Sequence, residues 1–118
     1  MPNSLSEKDP RQLGAQSELA AERYLRRRGW RICARNWIGG GGELDIVASR
    51  WRTLLIVEVR RRPQHDLAAL SVDQAKLMRT RQAAQALIRL HGLQSYRLQL
   101  DVFLYDAAGR LERRSHVG

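Results

Sequence analysis

The chain has 118 residues, a formal net charge of +9 and one cysteine, Cys33. That length allows a single domain able to bury roughly 60–70% of its unfolded surface. The lone cysteine excludes an internal disulfide and fits a reducing compartment, and no apolar run approaches the ~20 residues of a membrane span. All of the 21 basic residues except Lys8 and Lys76 are arginine, and their excess points to a polyanionic partner, DNA or RNA. An anionic membrane surface fits less well, because no long basic amphipathic helix carries a bulky apolar face.

Met1 to Pro10 is polar and has no apolar segment of the secretory kind, so it reads as a disordered tail on a single domain spanning 11–118, with a cytoplasmic setting expected. Gln12 to Arg28 has helical periodicity. Leu13, Ser17, Ala20, Ala21, Tyr24 and Leu25 share one arc, Glu18 sits at its edge, and Gly29 ends the helix. Trp30 to Ala34 reads as a strand and Gly39 to Gly42 as a flexible loop. That loop lacks the Lys-Ser/Thr ending of a phosphate-binding P-loop.

Gly42-Glu43-Leu44-Asp45-Ile46-Val47-Ala48 and Thr53-Leu54-Leu55-Ile56-Val57-Glu58-Val59-Arg60 then predict two strands joined as a hairpin. A turn centred between Arg50 and Trp51 would set Ala48 against Thr53, Ile46 against Leu55, Asp45 against Ile56 and Glu43 against Glu58. Because side chains alternate, Glu43, Asp45, Val47, Leu54, Ile56, Glu58 and Arg60 would share one face. Leu44, Ile46, Ala48, Leu55, Val57 and Val59 would share the other. Three carboxylates on one small surface repel and need a counter-charge. Arg60 supplies part of it and Mg²⁺ or Mn²⁺ could supply more, a donor pattern suited to phosphodiester cleavage. The plainer alternative is a local Glu58–Arg60 ion pair on a solvated strand edge.

Arg61 to Leu70 reads as a loop marked by Pro63. Ser71-Val72-Asp73-Gln74 is a capping box opening a second helix that runs to about Leu90 and stops at Gly92, with Val72, Ala75, Leu77, Ala83, Ala86, Leu87 and Leu90 apolar. Tyr96 to Tyr105 alternates as a strand, Leu98, Leu100, Val102 and Leu104 opposing Arg97, Gln99, Asp101 and Phe103. Asp106 to Gly109 turns the chain, and Arg110 to Arg114 completes a short edge strand. The order α-β-β-β-α-β-(β) predicts an α/β domain with a mixed central sheet flanked by two helices. The strand after the second helix should lie parallel to the third.

Gly14…Glu18-Leu19-Ala20…Tyr24-Leu25…Gly29, Arg35-Asn36, Gly42 to Ala48, Val57-Glu58-Val59-Arg60, Val72…Lys76 and Asp101-Val102 together resemble the small bacterial YraN-like family of predicted endonucleases. That family lies within the restriction-endonuclease-like, PD-(D/E)xK fold, and more distantly resembles archaeal Holliday-junction resolvases. The resemblance implies Asp45 and Glu58 as metal ligands for Mg²⁺ or Mn²⁺, with Glu18 as a helix-borne acid of the same catalytic site and Glu43 as a further member of the pattern. The chain departs from it at Arg60, where the family has lysine. Arginine stays protonated and cannot act as a base. Three readings stay open: Arg60 clamps phosphate while the metal ion activates water, Lys76 supplies the ammonium from the helix, or cleavage is lost and binding kept.

Arg26, Arg27, Arg35, Arg61, Arg62 and Lys76 are candidate nucleic-acid contacts. Trp30, Trp37 and Trp51 could stack on bases, with a core role favoured for Trp30. His65, His91 and His116 lack metal spacing with Cys33. The leading expectation is a metal-dependent endonuclease acting on branched or structured DNA in recombination or repair, for which a homodimer would suit a two-strand cut. The alternatives are a catalytically inactive nucleic-acid-binding protein on the same fold, or a module binding an acidic protein partner.

Overall fold

The computed structural model describes residues 10–61 and 74–116. The elements are α1 (Pro10–Arg27), β1 (Arg31–Gly39), β2 (Gly42–Arg50), β3 (Thr53–Arg61), α2 (Gln74–His91), β4 (Arg97–Tyr105) and β5 (Leu111–His116). The tail before Pro10, the Pro63 loop and the Ser71 capping box lie outside the described residues, as do Arg62 and His65.

The five strands lie in the order β1-β2-β3-β4-β5. β1, β2 and β3 form an antiparallel meander, β3 and β4 run parallel, and β5 returns antiparallel at the edge. The parallel pair follows from the α2 crossover, as the alternation of elements predicts. On one face α1 packs Ala21 and Leu25 against Trp30, Ile46, Leu55, Val57 and Phe103. On the other, α2 packs Ala83, Ala84, Leu87 and Ile88 against Leu44, Val47, Leu54, Ile56 and Leu100. Among the described residues no helix is long and apolar enough to cross a membrane.

Gly29 ends α1 as expected. Its φ is +83°, its N–H bonds the Arg26 carbonyl and the Trp30 N–H bonds the Leu25 carbonyl, the paired bonds of a Schellman cap. Trp30 is thereby drawn into the core at 5% exposure.

Four expectations need correction. The Gly39–Gly42 segment is a two-residue hairpin turn, with φ of +60° at Gly40 and +84° at Gly41. A primed turn requires positive φ of this kind. The second hairpin turns on Trp51 and Arg52, so Arg50 pairs with Thr53, Ala48 with Leu55 and Ile46 with Val57. That register is two residues from the expected one, and an even shift does not by itself exchange the two faces. Leu44 packs in the α2 layer although Ile46 and Ala48 pack under α1. Alternation fails there because β1 carries a left-handed residue, Asn36 at φ +48°, between the Arg35–Ile46 and Trp37–Leu44 pairings. Lastly, Leu90 is 70% exposed, while Ala84 and Ile88 are buried. The α2 contact stripe centres between Ala84 and Leu87, about a quarter-turn from Leu90.

Candidate functional site

The β2–β3 ladder ends at Ile46–Val57. Beyond it, the Val59 N–H donates to Asp45 Oδ2 at 2.9 Å, so a side chain takes the bond that a paired strand would supply. The fork so opened is a cleft of about 160 Å³ whose lining includes Glu43, Asp45, Glu58, Lys76 and Arg79. Asp45 and Glu58 thus line one cleft at the open end of the ladder, on central strands of the sheet rather than at its solvated edge.

Two glycines bring α2 over this cleft. A Cβ on Gly40 would meet the Gln82 carbonyl oxygen at 2.7 Å, and one on Gly42 would overlap the Arg79 carbonyl. The helix then presents Lys76, whose Nζ lies 2.7 Å from Glu58 Oε1, while Arg60 reaches Glu58 Oε2 at 2.9 Å. The Arg60 and Glu58 side chains are each only 16% exposed. The Glu58–Arg60 pair of the plainer reading thus exists, but on a glutamate that lines the cleft and is shared with Lys76. Arg60 Nε is buried and has no hydrogen-bond partner among the described residues.

Asp45 is placed differently. Burial pushes its carboxyl above the ordinary range. The Val59 N–H and Lys76 oppose that rise, and the charges of Glu58 and Glu43 add to it. Glu18 stands outside the cleft lining but couples to Asp45. Its carboxyl is raised first by burial and then by Asp45, against a hydrogen bond from the Asn36 side chain. Asp45 therefore sits between acids of the two layers, Glu58 on the α2 side and Glu18 on α1, with Glu43 exposed at the rim.

The candidate nucleic-acid contacts divide. Arg27 is exposed, and Arg26 is exposed with a weak 3.9 Å approach to Glu22. Arg35 is engaged in a bidentate pair with buried Glu22, at 2.6 and 2.7 Å. Arg61 is half-buried at the end of β3, and Lys76 is paired with Glu58. Trp37 is half-buried against the α2 layer, and Trp51 is 93% exposed.

Sequence reasoning gave no role to Asn36, Glu22, Arg79 or Thr80. Asn36 carried two signals, its place in the family pattern and its type, a residue that disfavours strands and tolerates the left-handed region. Asp101, within the family pattern, belongs to a structural pair on the α1 side: Arg113 Nε donates to its Oδ2 at 2.7 Å.

Among the described residues no three His, Cys, Asp or Glu side chains stand together closely enough to hold a metal ion. A closed zinc-type ligand set is therefore not formed by them. Asp45 and Glu58 fit a harder demand: Mg²⁺ and Mn²⁺ take one or two carboxylates and complete their shell with water and phosphate oxygens. Glu58 could contribute only by exchanging at least one of its two cationic partners.

Residues 17–105 match the family described as "Uncharacterised protein family UPF0102". A UPF0102 protein of Pelotomaculum thermopropionicum is 38% identical over 108 residues, covering 88% of this chain and 90% of the relative. One from Chloroflexus aurantiacus is 39% identical over 110 residues, covering 91% and 90%. One from Myxococcus xanthus is 38% identical over 110 residues, covering 87% and 82%. With a family match across most of its length and relatives this similar from end to end, the chain belongs to the UPF0102 family, the YraN-like proteins.

Proposed function

We propose that this chain is a metal-dependent endonuclease acting on DNA, with branched or structured DNA as its substrate in recombination or repair. The observation that supports this reading is the fork between β2 and β3. There Asp45 and Glu58 line one cleft and two cations, Lys76 and Arg60, stand on Glu58, in a chain of charge +9.

Asp45 and Glu58 would hold Mg²⁺ or Mn²⁺. When bound, that ion supplies charge neutralisation at the scissile phosphate and activation of the attacking water. The protein's own groups do the rest. Lys76 and Arg60 exchange Glu58 oxygens for phosphate oxygens as the backbone enters, which releases Glu58. Arg60, always protonated, stabilises the charge that builds on the phosphate and takes no part as a base. Its buried, unbonded Nε is a donor that a phosphate oxygen could satisfy. Glu18 stands close enough to Asp45 that the Asp45 charge raises the Glu18 carboxyl, so positive charge arriving in the cleft would favour the ionised forms of both acids.

A second reading has its own support. Both Glu58 oxygens are already neutralised, as expected for a protein that keeps the fold and the DNA affinity without cleaving. Labelled linear, flap and four-way-junction DNA, incubated with Mg²⁺, Mn²⁺ or EDTA, separates the two. Metal-dependent nicking by wild type, abolished in Asp45→Ala with folding intact, is expected. Equal nicking by that variant would sink the mechanism. Salt-sensitive binding without nicking, with activity gained in Arg60→Lys, would establish the binding-only reading instead.

A further inference from the structure

The opposite end of the same hairpin carries a second charged surface that the acid cleft does not use. β1 begins at Arg31, which pairs with Ser49 of β2. Arg97 of β4 stands beside Thr53 of β3 and donates its N–H to the Arg52 carbonyl at 2.7 Å. Arg28, Arg31, Arg50, Arg52 and Arg97 are therefore gathered at one end of the sheet, all exposed. None has a carboxylate partner among the described residues; residues 23–42, 46–57 and 74–100 contain no acid.

Neutral groups hold three of these guanidiniums. Arg50 lies 4.2 Å from the Trp30 ring and donates to the Arg28 carbonyl at 2.6 Å. Arg28 stacks 3.6 Å from the Tyr24 ring. Arg52 donates to Ser95 Oγ at 3.2 Å. The charges are positioned without being cancelled.

At the tip stands Trp51, 93% exposed and at φ +57°. The two-residue turn calls for a positive φ at this position, but a bulky residue adopts it at a cost and the exposed indole buries almost nothing in return. What sets this indole apart is its company: it stands at the tip of an end of the sheet lined by exposed arginines without acid partners among the described residues.

We propose that this hairpin end is a second nucleic-acid contact, at which Trp51 stacks on an unpaired base and the surrounding arginines take the flanking phosphates. The proposal rests on the nucleic-acid reading above and adds a substrate feature to it. Six residues of turn and strand lie between Trp51 and Glu58, about 20 Å at strand rise. The substrate would present a single-stranded base about six nucleotide steps from the bond that is cut, at 3.4 Å per step. Stacking on an exposed aromatic is indifferent to sequence, so this contact selects an unpaired base and not its identity.

The test is binding of fluorescein-labelled single-stranded and blunt duplex DNA in EDTA, by anisotropy, with the full chain. Trp51→Ala should weaken single-strand binding about tenfold or more, leave duplex binding within about twofold, and be rescued by Trp51→Phe. Arg52→Gln with Arg97→Gln should lower the logarithmic salt slope on single strands by about 1.4, two phosphates' worth. If wild type binds neither DNA, the nucleic-acid reading fails and this contact with it. If wild type binds and Trp51→Ala binds equally well, the contact alone is overturned. A loss of polyglutamate binding in Trp51→Ala matching the DNA loss would mark a general acidic-partner surface and also overturn it.

Discussion

The two ends of the β2–β3 hairpin are built on opposite principles. Each has a non-glycine residue at positive φ close by, Asn36 at the acid end and Trp51 at the basic end, and no others occur among the described residues. Asparagine visits that region cheaply, and the Asn36 side chain bonds Glu18, so the fold itself uses the kink. Tryptophan does not, and its side chain is bare. At the acid end the charges are crowded, partly buried and partly paired; at the basic end they are spread, exposed and unpaired by acids. An irregularity whose side chain is used within the fold, beside buried charge, suits chemistry, and a turn residue with a bare indole, beside open charge, suits docking.

The largest expected break in this comparison is in cleavage. Asp45→Asn and Glu58→Gln should each lower metal-dependent nicking by on the order of 10³-fold, while Trp51→Ala retains nicking of short duplex. A single-turnover assay on duplex and on flap DNA reads both. Equal loss from the two ends would mean that the hairpin acts as one unit.

Stability should separate two acids that cleavage cannot. Glu58 holds Lys76 and Arg60 in a site where its side chain is 16% exposed. Glu58→Gln leaves two cations facing each other and should cost about 2 kcal/mol. Asp45 is raised by burial, so the fold prefers its protonated form. Its contribution is complete below the unfolded carboxylate pKa of about 3.9 and is lost as pH rises through the folded value. Asp45→Asn should therefore stabilise at neutral pH, with the gain fading toward pH 4. Urea melts of both variants at pH 7 and pH 4 check the opposite signs. Mg²⁺ should raise the wild-type melting temperature and leave that of Asp45→Asn unmoved.

The element order, the parallel β3–β4 pair and the two apolar faces of the hairpin were legible because they rest on alternation and periodicity, which survive local error. The hairpin register shows this well: the turn lies one position from the expected one and the register moves by two, yet Ile46, Ala48, Leu55 and Val57 keep one face and Val47, Leu54 and Ile56 the other. Irregularity was not legible. Leu44 changes layer because of a left-handed residue in a different strand, Asn36, and no pattern within β2 announces it. Lys76 on Glu58 depends on how closely α2 can approach, which Gly40 and Gly42 decide through contacts remote in sequence. Glu22 was hidden because a buried glutamate at a helix edge looks solvated until Arg35 arrives from β1.

The smallest effect is the most pointed. Trp51→Gly removes the steric cost of the left-handed region, roughly 1–2 kcal/mol, and returns part of it as greater freedom of the unfolded chain. The net should be a gain of about 0.5–1 kcal/mol in chemical denaturation, because the indole buries nothing. Asn36→Gly is the control at the other end. Asparagine already tolerates its φ, and its amide bonds Glu18, so the same change should bring no gain there and should raise the Glu18 carboxyl further. If Trp51→Gly gains stability while single-strand affinity falls, the residue is kept at a cost to the fold for what it contacts. If stability falls, the indole has a structural partner and the contrast between the two ends disappears.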